Sequence, residues 1–387
     1  MSISDIIAAV ALALWLYLIL GRGGFWRGLE RDDAAPPEPD AWPAVVAIVP
    51  ARNEAESVGE CLPSLLRQDY PGPFHVVLVD DDSQDGTAAA AHRAAAAVGG
   101  DRRLTVVTGR ALPAGWTGKL WALAQGVAHA EQRADSPGYL LLTDADIVHR
   151  PDSLAWLVAK AQACGLALVS LMAKLRCESP AERGLIPAFI FFFQMLYPFA
   201  WVNRPGSATA AAAGGCVLVR TDDFKAAGGV DAIRAAVIDD CSMAKIMKAR
   251  GPIWLGLTDR VRSIRPYPKL DDIWLMVSRS AYAQLQYSPL LLMVAIAGLT
   301  LTFLVPPAMA IFASGGARIF GIIAWALMAL AFQPTLRLYR VSPLWGIALP
   351  GIALVYMLFT VDSAYQYGRG RGGHWKGRFQ ANTSGSQ

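Results

Sequence analysis

In two stretches of this 387-residue chain, acidic pairs follow apolar runs. In "YLLLTDADIVH" the run Tyr139–Thr143 stops at Asp144 and Asp146, and in "VIDDCSMAKIMKARG" Asp239 and Asp240 open a helical pattern. If extended geometry continued through the first pair, both side chains would point to one side of the strand. At about 5 Å and an effective dielectric near 20, the two charges would repel by roughly 3 kcal/mol, so a cation is expected there. Mg2+ or Mn2+ takes oxygen ligands and keeps positions open for diphosphate oxygens. The plainer reading of the DxD is an ordinary turn. Acids at a helix start are stabilised by the helix dipole, and one of Asp239 and Asp240 is a default cap. The other is left for acid/base work.

Three further groups carry chemistry by type and position. In "VDDDSQDGT" the acids Asp80, Asp81, Asp82 and Asp85 surround a tight turn, with Ser83 and Thr87 placed to cap the next helix. That is either a turn and cap only, or a site where Asp81 accepts a hydrogen bond from a base or ribose. Lys119, in "GWTGKLWA", stands at a helix start, where amide groups favour an anion. A phosphate held there would account for it; a solvated lysine is the alternative. Gly214 and Gly215 precede a short apolar strand, where a ligand or another chain segment must come close. A dinucleotide glycine fingerprint and a Walker loop are both missing, so metal is the expected handler of phosphate. None of the five histidines has triad or metal spacing, and none is given a role.

The elements that must hold these residues alternate. Strands are expected at 44–49, 74–79, 104–108 and 139–143, with helices between them, which predicts an α/β domain with a mostly parallel sheet. Asn53 and Glu56 are expected to cap the first helix. Ligands of such sheets bind beyond the carboxyl ends of the strands, where Asp80 to Asp82, Asp85, Lys119, Asp144 and Asp146 fall. Residues 1–21 read as an uncleaved transmembrane anchor, 22–43 as a Pro-rich linker, 44–288 as the catalytic domain, and 289–361 as C-terminal transmembrane segments. Spans are expected near 290–313, 318–333 and 343–361, with "VPP" at 305–307 interrupting the first. A basic tail, 362–387, follows, containing Arg369, Arg371, Lys376 and Arg378.

Arg22, Arg27 and Arg31 after the first segment place the domain in the cytoplasm, making this a multi-pass protein of the inner (cytoplasmic) membrane. The net charge of +4 clusters near apolar segments, which fits lipid headgroups and not nucleic acid. Five cysteines lack any CxxC pair and read as packing residues of a reducing compartment. The aromatic-rich stretch 184–203 reads either as an interfacial helix beside the site or as a core helix. A second interfacial helix is placed at 271–287.

Taken in order, "PARNE", "VDDDSQDGT", "GK" before a helix, "TDADI", "GGCVLVR…GG" and "IDDCSMAKIMKARG" resemble the family 2 glycosyltransferases of the GT-A fold, a Rossmann-like α/β architecture. The likeness covers about residues 44–260. It implies that Pro50, Arg52, Glu54, Asp81, Lys119, Asp144 and Arg279 hold a nucleotide sugar, with a UDP-sugar expected. It further implies that Asp144 and Asp146 bind the metal, that Gly214 and Gly215 lie on the acceptor side, and that Asp240, paired with Asp239, is the general base. The anchor, "GWTGKLWA", "FFFQMLYPFAWVNRP" and "WKGR" make the whole chain similar to the hopene-associated glycosyltransferases of hopanoid gene sets. The implied activity is an inverting transfer of a single sugar to a lipid hydroxyl in hopanoid or related membrane-lipid synthesis. A Q/RxxRW motif of processive members is not matched: "MVSRS" keeps Arg279 but has Met276 and Ser280 at the flanks. A polysaccharide synthase and a catalytically silent nucleotide-sugar-binding scaffold are the rival readings.

Overall fold

The computed structural model describes residues 2–134 and 136–372, together with the backbone of 374–375 and 378–379. Lys376 and Gly377 of the "WKGR" stretch, and the side chains of its Trp375 and Arg378, lie outside what is described. The chain divides into an α/β unit, residues 30–176 and 201–266, and a helical unit, residues 1–29, 177–200 and 267–374.

The α/β unit is built on eight strands: β1 (Val45–Ala51), β2 (Phe74–Asp80), β3 (Leu104–Thr108), β4 (Tyr139–Thr143), β5 (Ile147–His149), β6 (Leu168–Lys174), β7 (Cys216–Arg220) and β8 (Ile253–Ser263). Their order is β3-β2-β1-β4-β7-β6-β8-β5. The expected strands and the helices between them are present. Strands β1 to β4 run parallel, and their buried runs of Val, Ile and Leu pack under helices on the sheet faces. The sheet is mostly parallel but mixed: β6 and β8 pair parallel and run with β1 to β4, whereas β7 runs antiparallel to both β4 and β6, and β5 antiparallel to β8. That reversal matters for the site. It sets Cys216 opposite Thr143, so the glycines just before β7 arrive at the edge where β4 ends.

Pro50 sits in the central strand β1 without breaking it. Pairing with β4 stops at Ile48, so the missing N–H of Pro50 costs no hydrogen bond on that side. Part of the Pro-rich segment belongs to this unit. Asp32 is buried, accepts a hydrogen bond from Thr258 and pairs with Arg260 at 3.2 Å, while Leu257 N donates to Glu30 O.

Five helices among the described residues are long and apolar enough to cross a membrane: Ile3–Leu20, Pro180–Val202, Pro289–Phe312, Gly315–Tyr339 and Trp345–Gly368. The second carries the aromatics of 184–203. In the helical unit Phe191 packs on Phe332, and Phe192 packs on Phe303 and Tyr356, so these rings serve as core. "VPP" does not interrupt its helix. A π-helical turn, Thr300–Leu304, absorbs the prolines, and the Trp15 indole donates to Thr302 O at 2.7 Å. That carbonyl is the i−4 acceptor that Pro306, lacking an N–H, cannot reach; in an apolar surrounding its loss would be costly.

Candidate active site

Two loops interlock at the carboxyl ends of β1 and β2. The segment after β1 does not enter a helix at once: Asn53 is in the left-handed region (φ 51°), and the helix starts only at Val58. The expected Asn53/Glu56 capping pair is therefore not formed. The amides of this segment turn to the next loop instead. Asn53 N donates to Ser83 Oγ, Glu54 N to Thr87 Oγ1 and Ala55 N to Asp85 Oδ2, while Gln84 N donates to Asn53 Oδ1. Ser83 and Thr87 thus brace the neighbouring loop and do not cap their own helix, whose first turn follows Gly86. Behind this brace Asp81 is buried, with Arg52 Nη1 2.5 Å from its carbonyl and 3.7 Å from its carboxylate.

The DxD does not continue β4. Asp144 O accepts from Ile147 N, closing a tight turn in place of an extended strand. Asp144 Oδ1 lies 2.9 Å from Lys119 Nζ, whereas Asp146 Oδ2 lies 2.7 Å from Arg265 Nε and 3.3 Å from Ser263 Oγ. Each acid of the pair has a different cation of the chain as its partner. Beneath the turn His149 is buried, its Nε2 3.0 Å from Thr143 Oγ1, which in turn donates to Gly215 O at 2.7 Å. Since the hydroxyl hydrogen goes to Gly215, His149 must donate through Nε2. Burial lowers its pKa to about 4, so it is a neutral brace.

Lys119 opens the helix Gly118–Glu131 and joins the two acidic pairs. Its second partner is Asp239 Oδ2 at 3.1 Å. Burial opposes its charge, but Asp144 and Asp239 outweigh burial and hold the ammonium above the ordinary lysine range. Asp144 is pushed up by burial and by Asp146 while Lys119 pulls it down, and the net direction is up. Asp240, next to Asp239 at the start of the helix Asp239–Lys248, takes Gly214 N at 3.0 Å and Cys241 N at 2.7 Å. Burial first, then the charge of Asp239, raises Asp240 to about 6. That is near the operating range of a general base at neutral pH.

Asp144, Asp146, Lys119, Asp239, Asp240, Gly214 and Gly215 are therefore neighbours in one unit, with Glu54 joined to Asp146 through Arg265 (Nη2 to Glu54 Oε1, 2.5 Å). Arg52 and Asp81 lie in the adjoining loops, and Pro50 lies near the end of β1. Arg279 lies on the helix Leu270–Gln284 of the helical unit. Arg265, Ser263 and the His149 brace were not foreseen from sequence; "VRSIRPYP" holds three similar basic or polar side chains and nothing that singles one out. Among the described residues no group of three or more His, Cys, Asp or Glu side chains is placed to hold a metal. Asp144 and Asp146 supply the oxygen donors that Mg2+ or Mn2+ takes, so the residues fit an ion whose remaining ligands come from a substrate.

A mixed α/β sheet with two interlocked loops and paired acids at one edge is a GT-A-like fold. Residues 46–228 match the family model described as Glycosyl transferase family 2. An N-acetylglucosaminyltransferase of Mesorhizobium japonicum is 34% identical over 147 residues, 37% of this chain and 32% of the relative; the chain thus spans about a third of that relative's length. The mannosyltransferase PcManGT of Pyrobaculum calidifontis, solved with GDP-Man and Mn2+, superposes with a TM-score of 0.58 at 21% identity, covering 94% of this chain and 99% of that one. At such identity the likeness is one of fold.

Proposed function

We propose that the protein transfers a single sugar, with inversion, from a nucleotide sugar to the hydroxyl of a membrane lipid. The observation that carries this reading is the junction at Lys119, which ties the DxD to the acidic pair at the start of the helix Asp239–Lys248. Donor-side and acceptor-side groups are then within one cluster.

Asp240 takes the proton of the acceptor hydroxyl; the hydroxyl oxygen bonds to the anomeric carbon as the bond from that carbon to the diphosphate oxygen breaks. Its two backbone donors fix the carboxylate without neutralising it. Asp81, Arg52 and Glu54 hold the nucleotide from the interlocked loops. Asp144 and Asp146 would hold Mg2+ or Mn2+, which supplies charge stabilisation to the departing diphosphate. The donor is read as a UDP-sugar. Five candidate spans support a lipid acceptor and a membrane location, with the α/β unit on the cytoplasmic side of the inner membrane. Arg279 is assigned to the donor by the family likeness, and the hopanoid role likewise. The test is to supply membranes containing the protein with labelled UDP- and GDP-sugars and extracted hopanoid or other lipid. A monoglycosylated lipid is expected. A ladder of oligosaccharides would establish the processive alternative, and no metal-dependent transfer or hydrolysis of any donor would establish a silent scaffold.

A further inference from the structure

Arg265 enters none of the roles above, yet it is the cation in contact with Asp146. Its guanidinium bridges two acids from different loops, Asp146 after β4 and Glu54 after β1, both of which are nearly buried. Asp146 is fixed from the same segment twice more, since Ile264 N donates to its carbonyl and Ser263 Oγ lies 3.3 Å from its carboxylate. The Arg265 side chain itself stays 31% exposed, at the strand edge where ligands of such sheets bind.

Charge decides what this arrangement favours. Glu54, Asp144, Asp146, Asp239 and Asp240 gather around Lys119 and Arg265, a concentration of acids that opposes an incoming anion. A diphosphate cannot approach it without added positive charge. A divalent ion taking the Asp146 carboxylate would compete with Arg265 for the same oxygens. The guanidinium, tethered by Glu54 and facing solvent, would then lie beside the phosphates that the ion brings in. Its planar fork suits phosphate oxygens as well as carboxylate oxygens.

We propose that Arg265 is a diphosphate-binding residue of the donor site, exchanged from Asp146 to the phosphates when a divalent cation binds. The inference rests on the nucleotide-sugar reading and adds one residue and its exchange to it. Its signature is a change of opposite sign in two affinities. In the purified full chain, calorimetry and Mn2+ spin resonance would compare wild type with Arg265→Gln. Mn2+ alone should bind about 3-fold to 10-fold tighter in the variant, because a competing cation is gone, while UDP and GDP with saturating Mn2+ should bind at least about tenfold more weakly, the scale of a lost charge-assisted hydrogen bond. UMP and GMP, which lack the second phosphate, should lose less than the diphosphates. A merely structural role lowers both affinities together and treats mono- and diphosphates alike; a competitor-only role raises the Mn2+ affinity and leaves UDP and GDP unchanged. Either result overturns the proposal. Should Arg265→Gln not fold, Arg265→Lys keeps the charge without the fork, and a wild-type diphosphate affinity in it is equally fatal. If wild type itself binds no nucleotide with Mn2+, the functional reading fails first, which separates the two failures.

Discussion

Lys119 Nζ lies 2.9 Å from Asp144 Oδ1 and 3.1 Å from Asp239 Oδ2, so this lysine is the joint between two acidic pairs. Replacing it with Met removes the charge and keeps most of the stem. Asp144 and Asp239 then lose the ammonium they share. The melting temperature should fall, by an amount equivalent to about 2 kcal/mol, and donor binding should weaken as well. Calorimetric unfolding checks the first and nucleotide titration the second; unchanged stability would show the joint to be incidental.

Asp240→Asn keeps the shape and the contacts to Gly214 and Cys241 in part, but cannot take a proton. Turnover should drop about 10²-fold to 10⁴-fold with donor and metal affinity retained. Asp239→Asn, which leaves the base in place and weakens the Lys119 joint, should be the milder change. A variant Asp240→Asn keeping more than about a tenth of wild-type turnover would remove Asp240 as the base.

The raised Asp240 also fixes a pH dependence. Asp239 on the same turn and Lys119 from the neighbouring helix are the charges that face it. A base must be deprotonated, so turnover should rise as pH passes through about 6 and level above it. Stability runs the other way. A carboxyl raised from 3.8 to about 6 contributes stability that is fully present below 3.8 and is lost as pH climbs through 6. Asp240→Asn should therefore gain in melting temperature relative to wild type from pH 4 to pH 7, on the order of a few degrees. A constant difference across that range would show that Asp240 does not titrate there.

Asp146→Asn removes a charged metal ligand and one anchor of Arg265. Metal-dependent binding of UDP or GDP should disappear, whereas the contact from Lys119 to Asp144 and Asp239 leaves Asp239 and Asp240 in place. Calorimetry with and without Mn2+ separates the two cases, and an undiminished Mn2+ effect would exclude Asp146 as ligand.

The helix that carries Lys119 is seated by Gly126, where a Cβ would run into Ile48 Cγ2 and lie 3.1 Å from Val79 Cγ2. Gly126→Ala should destabilise by about 1–3 kcal/mol through overpacking. Gly59→Ala, on an exposed helix position with open space around it, should stabilise by up to about 1 kcal/mol. Thermal melts of both variants test the pair; a stable Gly126→Ala would mean the helix can lift without cost.

Much of the site was legible because local physics fixes it. Buried parallel strands need continuous apolar runs, so β1 to β4 are visible as Val, Ile and Leu stretches, and the polar residues that follow each run mark the edge where ligands bind. The helix starts at Gly118 and Asp239 were visible for the same reason, through periodicity and the residue types at their first turns. What the sequence could not decide are the choices made between distant segments. A strand's direction in the sheet leaves no mark on its composition, so the antiparallel entry of β7, which delivers Gly214 to Asp240, came only from the tertiary structure. Partner choice is equally non-local. The loop after β1 gave up its local cap because amides of residues 53–55 found better acceptors 30 or more residues away, and Asp144 and Asp146 took different cations as partners, Lys119 and Arg265. Residue types set which charges need partners; only the fold, by bringing 119, 144, 239 and 265 together, settled which partners they have.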